Sequence, residues 1–539
     1  MKRSFKAAAL GASALAAGVV TTGAYAQSPD IITVTAQKRE QTLQEVPIAV
    51  TVVDAETIQN AQIIDAIDLQ SVVPALRVSQ LERSSNATFI IRGQGNGANN
   101  PGIEPSVAVY IDGVFRARAG TVLSDLIGIE RVEVLRGPQS TLFGKNATAG
   151  VVSIVTEEPQ FEFGGLVEAT IGNYDQRILK GSVTGPISEN LAFSLAGSRN
   201  VRDGYYENLG TGGDFNDRDR WALRGQLLFL PTDNLELRLI ADYDEIDEKC
   251  CGTDRVIDGA ITTPIIRGLL GVQTSGGAGF DYQIATDFAN ENQIENGGVS
   301  LQADWNLNDN MTVSSITSYR IYEDLVDFEG DFTTLSLLGE NIRQLDVDTF
   351  TQEFRLTGDW NNRAFYLLGA FFSNEDMSAT DTRIYSADTR AYVDALSTGA
   401  ISAIEAATPF PAGTFFAAGG GTRFTAEQTD NQIQLFGQVD FDITDRLTLT
   451  AGLAYFKSEK EVDFTNVVRT NPFSDLNLVA IGEPLILQGL VAANPLYVGP
   501  PNPGPADIAA FAGANPAVFA ALQAAATGAS TVFPSSGAP

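Results

Sequence analysis

The chain has 539 residues, with 35 basic and 66 acidic side chains, a formal charge of −31, no histidine and two cysteines. That length excludes a single small core, and the acidic balance argues against nucleic acid, whose phosphates call for clustered Lys and Arg. Without histidine there is no imidazole zinc site, no haem on a proximal His and no Ser-His-Asp triad, so neither an enzyme nor a permanently bound cofactor or metal is expected.

Residues 1–26 read as a secretory signal. Lys2, Arg3 and Lys6 form the basic start, Ala7 to Val20 the small apolar run, and Ala24-Tyr25-Ala26 the cleavage site. No later stretch reaches about eighteen uncharged apolar residues, so no membrane-spanning helix is expected. The destination is then the periplasm, the exterior, or an outer membrane crossed by β-strands.

After a tail over residues 27–40, residues 41–160 mix helical and strand signals, as expected of a small α+β domain. Asp54 is placed to cap a helix over 55–60, and Asp65–Val73 carries a second helical pattern that stops at Pro74. Strand-like runs follow at Thr88–Arg92, Val107–Ile111, Arg131–Leu135 and Val151–Thr156, separated by Gly-, Asn- and Pro-rich segments such as Gly93–Ser106.

From residue 161 the pattern becomes long alternating strands, such as those beginning at Leu191, Asn234 and Leu447. The joins between them alternate in length. Short ones lie at 185–190, 231–234, 307–310, 360–362 and 442–445, each with the Asn, Asp, Gly or Pro of tight turns, and long ones span roughly 204–218, 247–295, 327–348 and 376–430. This arrangement predicts an antiparallel transmembrane β-barrel over 161–539, with about eleven strands present. Eleven strands alone leave two unpaired edges in hydrocarbon, and after Phe464 the sequence turns Ala-, Gly- and Pro-rich. The expectation is that the chain stops inside an outer loop and that the C-terminal half of the barrel is missing.

The segment Ile129–Thr156, containing Leu135-Arg-Gly-Pro-Gln139 and Phe143-Gly-Lys-Asn146, resembles the plug signature of TonB-dependent outer-membrane receptors. Phe89-Ile-Ile-Arg-Gly93 and Val109-Tyr-Ile-Asp-Gly-Val114 resemble it in order and spacing, and Asp30-Ile-Ile-Thr-Val-Thr-Ala36 looks like the TonB box. The resemblance implies an outer-membrane barrel of 22 strands closed by an N-terminal plug. It also implies import of a scarce nutrient, most often a ferric siderophore carrying iron as a chelate, with TonB as the energising partner. The same machinery importing a glycan, cobalamin or an aromatic compound is the alternative, and a passive porin or surface adhesin is the reading from another class. On this resemblance Asp30, Ile31, Ile32, Thr33, Val34, Thr35 and Ala36 would add as a strand to TonB. Arg92 and Arg136 would lock the plug against Glu353 of the barrel motif Thr351-Gln-Glu-Phe-Arg355. Ligand contacts would come from Arg83, Gln94, Asn96, Asn99 and Asn100, with Phe115, Arg116 and Arg118 behind them, because Arg suits anionic chelates and amides suit hydroxyls.

Other motifs fail or stay open. Gly93-Gln-Gly-Asn-Gly-Ala98 fits a dinucleotide pattern, but Pro101 and Pro105 leave no helix to receive a phosphate. Cys250 and Cys251 are compatible with a vicinal disulfide, with two free thiols, or with a bond to another chain. The Asp-rich stretches at 214–219 and 242–247 read as solvated loop faces, since neither matches an ordered Ca²⁺ loop.

Overall fold

A computed structural model describes residues 33–530, except 40, 45, 81–82, 97–99, 145, 254, 273, 275–279, 362, 409, 469–485 and 501–502. It divides into a small unit over residues 1–47 and a large one over 48–539. Within the first, β1 (Thr33–Val34) pairs antiparallel with β2 (Gln41–Thr42).

The large unit opens with an α+β domain. β3 (Ala49–Asp54) leads into the helix Ala55–Asn60, and the Asp54 carboxylate accepts from the Thr57 N–H at 2.8 Å, which is the expected cap. The second helical pattern forms only a 3₁₀ turn, Asp68–Ser71. Its aspartates satisfy N–H groups at the start of the turn: Asp68 accepts from the Ile64 N–H at 2.9 Å and Asp65 from the Ile67 N–H at 2.8 Å. β4 (Leu76–Gln80) and β5 (Ala87–Ile91) make a separate antiparallel pair. The remaining strands are β6 (Val107–Ile111), β7 (Val114–Arg116), β8 (Ile129–Arg136) and β9 (Gly150–Thr156), and they join β3 in a five-stranded sheet of order β3-β8-β9-β6-β7. Gly150 is required where β9 crosses the core, because a Cβ there would lie 2.4 Å from the Leu135 carbonyl oxygen and 2.6 Å from Ile91 Cδ1.

The second part is one antiparallel sheet of 11 strands, each paired with the next of the series. Its first members are β10 (Gly164–Ile171), β11 (Arg177–Ser188) and β12 (Leu191–Arg202). Two short strands, β13 (Tyr206–Asn208) and β14 (Asp214–Phe215), belong to the connection that follows. The sheet continues through β15 (Arg218–Thr232) and β16 (Leu235–Glu248). β17 (Gln283–Ile284) pairs with β13 outside it. β18 (Glu291–Asn308), β19 (Met311–Asp327), β20 (Leu338–Trp360), β21 (Ala364–Tyr385), β22 (Gly421–Thr444) and β23 (Leu447–Val468) complete it. All five short turns fall where the sequence predicts them. Three of the four long joins are shorter than expected, because β18, β20, β21 and β22 run on through polar and acidic residues into the segments read as loops. A β-ladder needs no hydrocarbon to persist, so loss of lipid-facing character did not mark the strand ends. The sheet is open, with β10 and β23 as its edges among the described residues.

One face of the sheet carries an apolar band: Leu223, Leu227, Leu239, Val299, Leu301, Phe350, Phe354, Leu368, Leu435 and Val439 are all exposed there. Alternate residues, including Gln226, Ser300, Ser318, Thr351 and Gln438, are buried on the other face. Trp305, at one margin of the band, stands eight residues along β18 from Gly297, over which the Tyr243 ring packs at the other margin. Eight residues span roughly 27 Å along a strand, or ~20 Å along the normal of a bilayer at typical barrel tilt. The outward face therefore suits a hydrocarbon layer bordered by aromatic side chains. No helix among the described residues is long and apolar enough to cross a membrane.

The α+β domain packs on the inner face. Phe89, Ile91, Val109, Val132 and Ile154 share one buried cluster with Ile246, Ile294, Tyr322, Leu345, Val347 and Met377 of the wall.

Candidate functional site

Buried charges bind the α+β domain to the wall at several points. The most enclosed is Arg220 of β15, only 1% exposed. Its guanidinium donates to Glu248 at 2.5 and 3.1 Å, to Asp65 at 3.1 Å and to the Leu123 carbonyl at 2.6 Å. Glu248 also accepts from Arg218 at 3.0 Å and from the Ser84 hydroxyl at 3.1 Å, so two wall arginines and one segment of the inner domain meet at one carboxylate. A second centre is Asp242 of β16, paired bidentately with Arg320 at 2.7 Å on both oxygens and approached by Arg116 at 3.8 Å. A third is Arg118, which reaches Glu375 of β21 at 2.7 and 3.3 Å. A fourth is Arg238 of β16, which holds Thr156, Glu158 and Gln226 and lies 3.8 Å from Asp112. Burial lifts the Asp125 carboxyl of the inner domain above its ordinary range, opposed by its bond from Asn200 at 3.0 Å.

Phe115, Arg116 and Arg118 are buried, and both arginines meet carboxylates on the wall. One expectation is corrected. Asp242, Asp244 and Glu248 are inward-facing residues of β16, not loop residues; Asp244 accepts from Asn296 at 2.9 Å. The ion pair described for Glu353 is with Arg355 at 3.3 Å. Arg92 is exposed, and its guanidinium lies beside Gly137, while Arg136 is half-buried. The described plug–wall pairs include those centred on Arg220, Asp242, Glu375 and Arg238. One signal for them was available in the sequence: Arg220, Arg238, Asp242 and Arg320 all fall on the strand phase opposite the lipid-facing residues.

Two recesses open at the long-loop end. The inner one, about 50 Å³, is lined by Asn86, Thr88, Asn96, Asn100, Arg118, Tyr322, Asp324 and Arg343. The outer one, about 500 Å³, lies between the loop after β19 and the helix Thr389–Leu396, and Arg83 and Arg343 line it with Phe328, Tyr385, Tyr392 and Phe416. Of the residues named from the sequence, Arg83 lines the outer recess, and Asn96 and Asn100 line the inner one. Asn96 also staples its own loop, donating to the Glu104 carbonyl and accepting from the Ser106 N–H at 2.6 Å. Gln94 is exposed with its carbonyl bonded to the Ile91 N–H, and Asn99 lies outside the described residues. At the rim, burial and the neighbouring Asp331 push the Glu329 carboxyl up to about 9. Cys250 and Cys251 are joined as a vicinal disulfide, and the Asn292 amide donates to the Cys250 carbonyl at 2.6 Å. Of the seven-residue segment 30–36, residues 30–32 lie outside the described residues, and Thr33 and Val34 pair with Thr42 and Gln41.

Residues 42–151 match the TonB-dependent Receptor Plug Domain family. The pesticin receptor of Yersinia pestis is 30% identical over 218 residues, covering 40% of this chain and 31% of the relative. The vitamin B12 transporter BtuB of Vibrio vulnificus is 31% identical over 184 residues, covering 33% and 29%. The matched stretch therefore spans about a third of the length of these curated relatives. Among solved structures, the ferric yersiniabactin uptake receptor from Yersinia pestis superposes with a TM-score of 0.62 at 19% identity, over 79% of this chain and 58% of that one. The ferripyoverdine receptor of the outer membrane of Pseudomonas aeruginosa gives 0.60 at 16% identity, over 81% and 56%.

Proposed function

We propose that this chain, which belongs to the TonB-dependent outer-membrane receptors through its plug, forms the gated part of an importer for a scarce nutrient, a ferric siderophore in the leading reading. The plug's attachment to the wall carries the proposal. It is held by buried ion pairs and apolar packing with no covalent link described between the two, so a pull on its N-terminal tail can break the contacts and reform them. The segment 30–36 supplies that tail: alternating Ile, Thr and Val suit addition to a TonB strand through main-chain hydrogen bonds. A latch of Arg92 and Arg136 with Glu353 is part of the same proposal, alongside the Arg220 centre.

The siderophore reading is supported by relatives whose names include the ferrioxamine B receptor of Salmonella typhimurium. The vitamin B12 transporter among the relatives favours cobalamin as the second reading. Expression under iron starvation separates them. The siderophore reading expects strong induction by an iron chelator and loss of growth on ferric chelates when the gene is deleted; induction by cobalamin shortage instead, with no iron phenotype, would overturn it.

A further inference from the structure

Four buried N–H donors on three arginines of the plug–wall attachment have no hydrogen-bond partner: Nε and Nη1 of Arg116, Nε of Arg118 and Nε of Arg320. The three side chains line one small cavity of about 10 Å³, between β7 and the segment after it on the plug and β18, β19 and β20 of the wall. Among the described residues no carboxylate lines it. Asp242 is taken by the terminal nitrogens of Arg320, and Glu375 by those of Arg118. Arg116 Nη2 stands 3.8 Å from Asp242, beyond hydrogen-bond reach. Three guanidiniums thus share two carboxylates, while Arg224 and Asp244, which also act on Arg116, offset each other. Burial and the neighbouring Arg320 lower the Arg116 guanidinium to about 9, as expected of a charge that its surroundings under-compensate.

A buried donor without an acceptor carries a desolvation penalty, larger when the group is charged. One water has two lone pairs and must place two hydrogens of its own, so it cannot satisfy all four donors. An anion accepts from every side and supplies the missing negative charge. The cavity admits one particle about the size of a water molecule, which excludes sulfate, phosphate and carboxylates and leaves a halide. We infer that this cavity binds a single halide ion, chloride in ordinary media, which ties Arg116 and Arg118 of the plug to Arg320 of the wall. The Asp242 and Glu375 centres then hold the plug as one unit, whatever the receptor imports.

Two measurements on the full-length receptor test this. Crystals grown in bromide, with data collected at the bromine absorption edge, should show one anomalous peak in the cavity, touching the three Nε atoms. In detergent solution, amide exchange of segment 114–122 is compared in sodium chloride and sodium gluconate at equal ionic strength. Exchange should be roughly tenfold slower in chloride at about ten times its dissociation constant, with the wall strands unchanged. Arg116→Met removes two of the four donors and the excess charge, and should abolish both the peak and the chloride dependence. The bromide measurement on the parent protein decides the matter if that variant fails to fold. A cavity holding water or no anomalous scatterer, or exchange within twofold in the two salts, overturns the inference. A peak that persists in Arg116→Met overturns it as well.

Discussion

Replacing Arg220 by Met keeps most of the side-chain volume and removes the charge from the centre of the plug–wall attachment. On the wall side, Glu248 retains Arg218 and Ser84. On the plug side two bonds disappear, those to Asp65 and to the Leu123 carbonyl, and Asp65 is left buried with its Ile67 contact. A hydrogen bond to a charged group contributes ~1.5–3 kcal/mol and a neutral one ~1, so the plug side loses about 3 kcal/mol. Amide exchange reports this directly. Segments 61–71 and 119–126 of the full-length receptor should open on the order of a hundredfold more often in Arg220→Met, while the wall strands keep their protection. Adding Asp65→Asn should recover part of the loss, since the buried group is then uncharged. Exchange within twofold of the parent in both segments would refute the assignment of Arg220 as a latch.

Other outcomes follow from the same structure. Ile32→Pro should abolish energised uptake with ligand binding intact, because proline removes a donor from the strand offered to TonB; uptake at the parental rate would contradict this. Gly150→Ala should destabilise the plug by ~1–3 kcal/mol, as its methyl meets the Leu135 carbonyl and Ile91, and limited proteolysis of the plug would report it. The raised Glu329 carboxyl means that the folded loop holds a proton which the unfolded one releases near its ordinary value of 4.5. The loop over 328–337 should therefore lose stability as pH rises from about 4.5 toward 9, seen as faster cleavage, and Glu329→Gln should flatten that profile.

Much of the architecture is legible in sequence because it is local. Alternation of residues such as those from Leu191 sets which face meets lipid, and Asn- or Asp-bearing turns such as Asp233-Asn234 set the hairpins. The plug strands are apolar runs with glycine breaks, and β6 falls on the predicted residues. The helical pattern at 65–73 shortens to the 3₁₀ turn Asp68–Ser71, which ends ahead of Pro74, a residue whose ring disfavours helix in the position before it. The attachment is harder to read, since its partners are remote: Arg220 and Asp65 are 155 residues apart, and Arg118 and Glu375 are 257 apart. Spacing along the chain cannot show such pairs. Phase along the strand can show that Arg220, Asp242 and Arg320 point inward, where a charge must find a partner. For Arg116 and Arg118, residue type does not distinguish an arginine awaiting an anion from one already facing a carboxylate, such as Asp242 or Glu375.

The central claim is that transport depends on a plug displaced by TonB. The most direct test measures binding and uptake of a radio-iron chelate in cells carrying the full-length receptor, with and without TonB. The account predicts surface binding in both and accumulation only where TonB is present. Equal accumulation in the strain without TonB would mean an open pore and would contradict it.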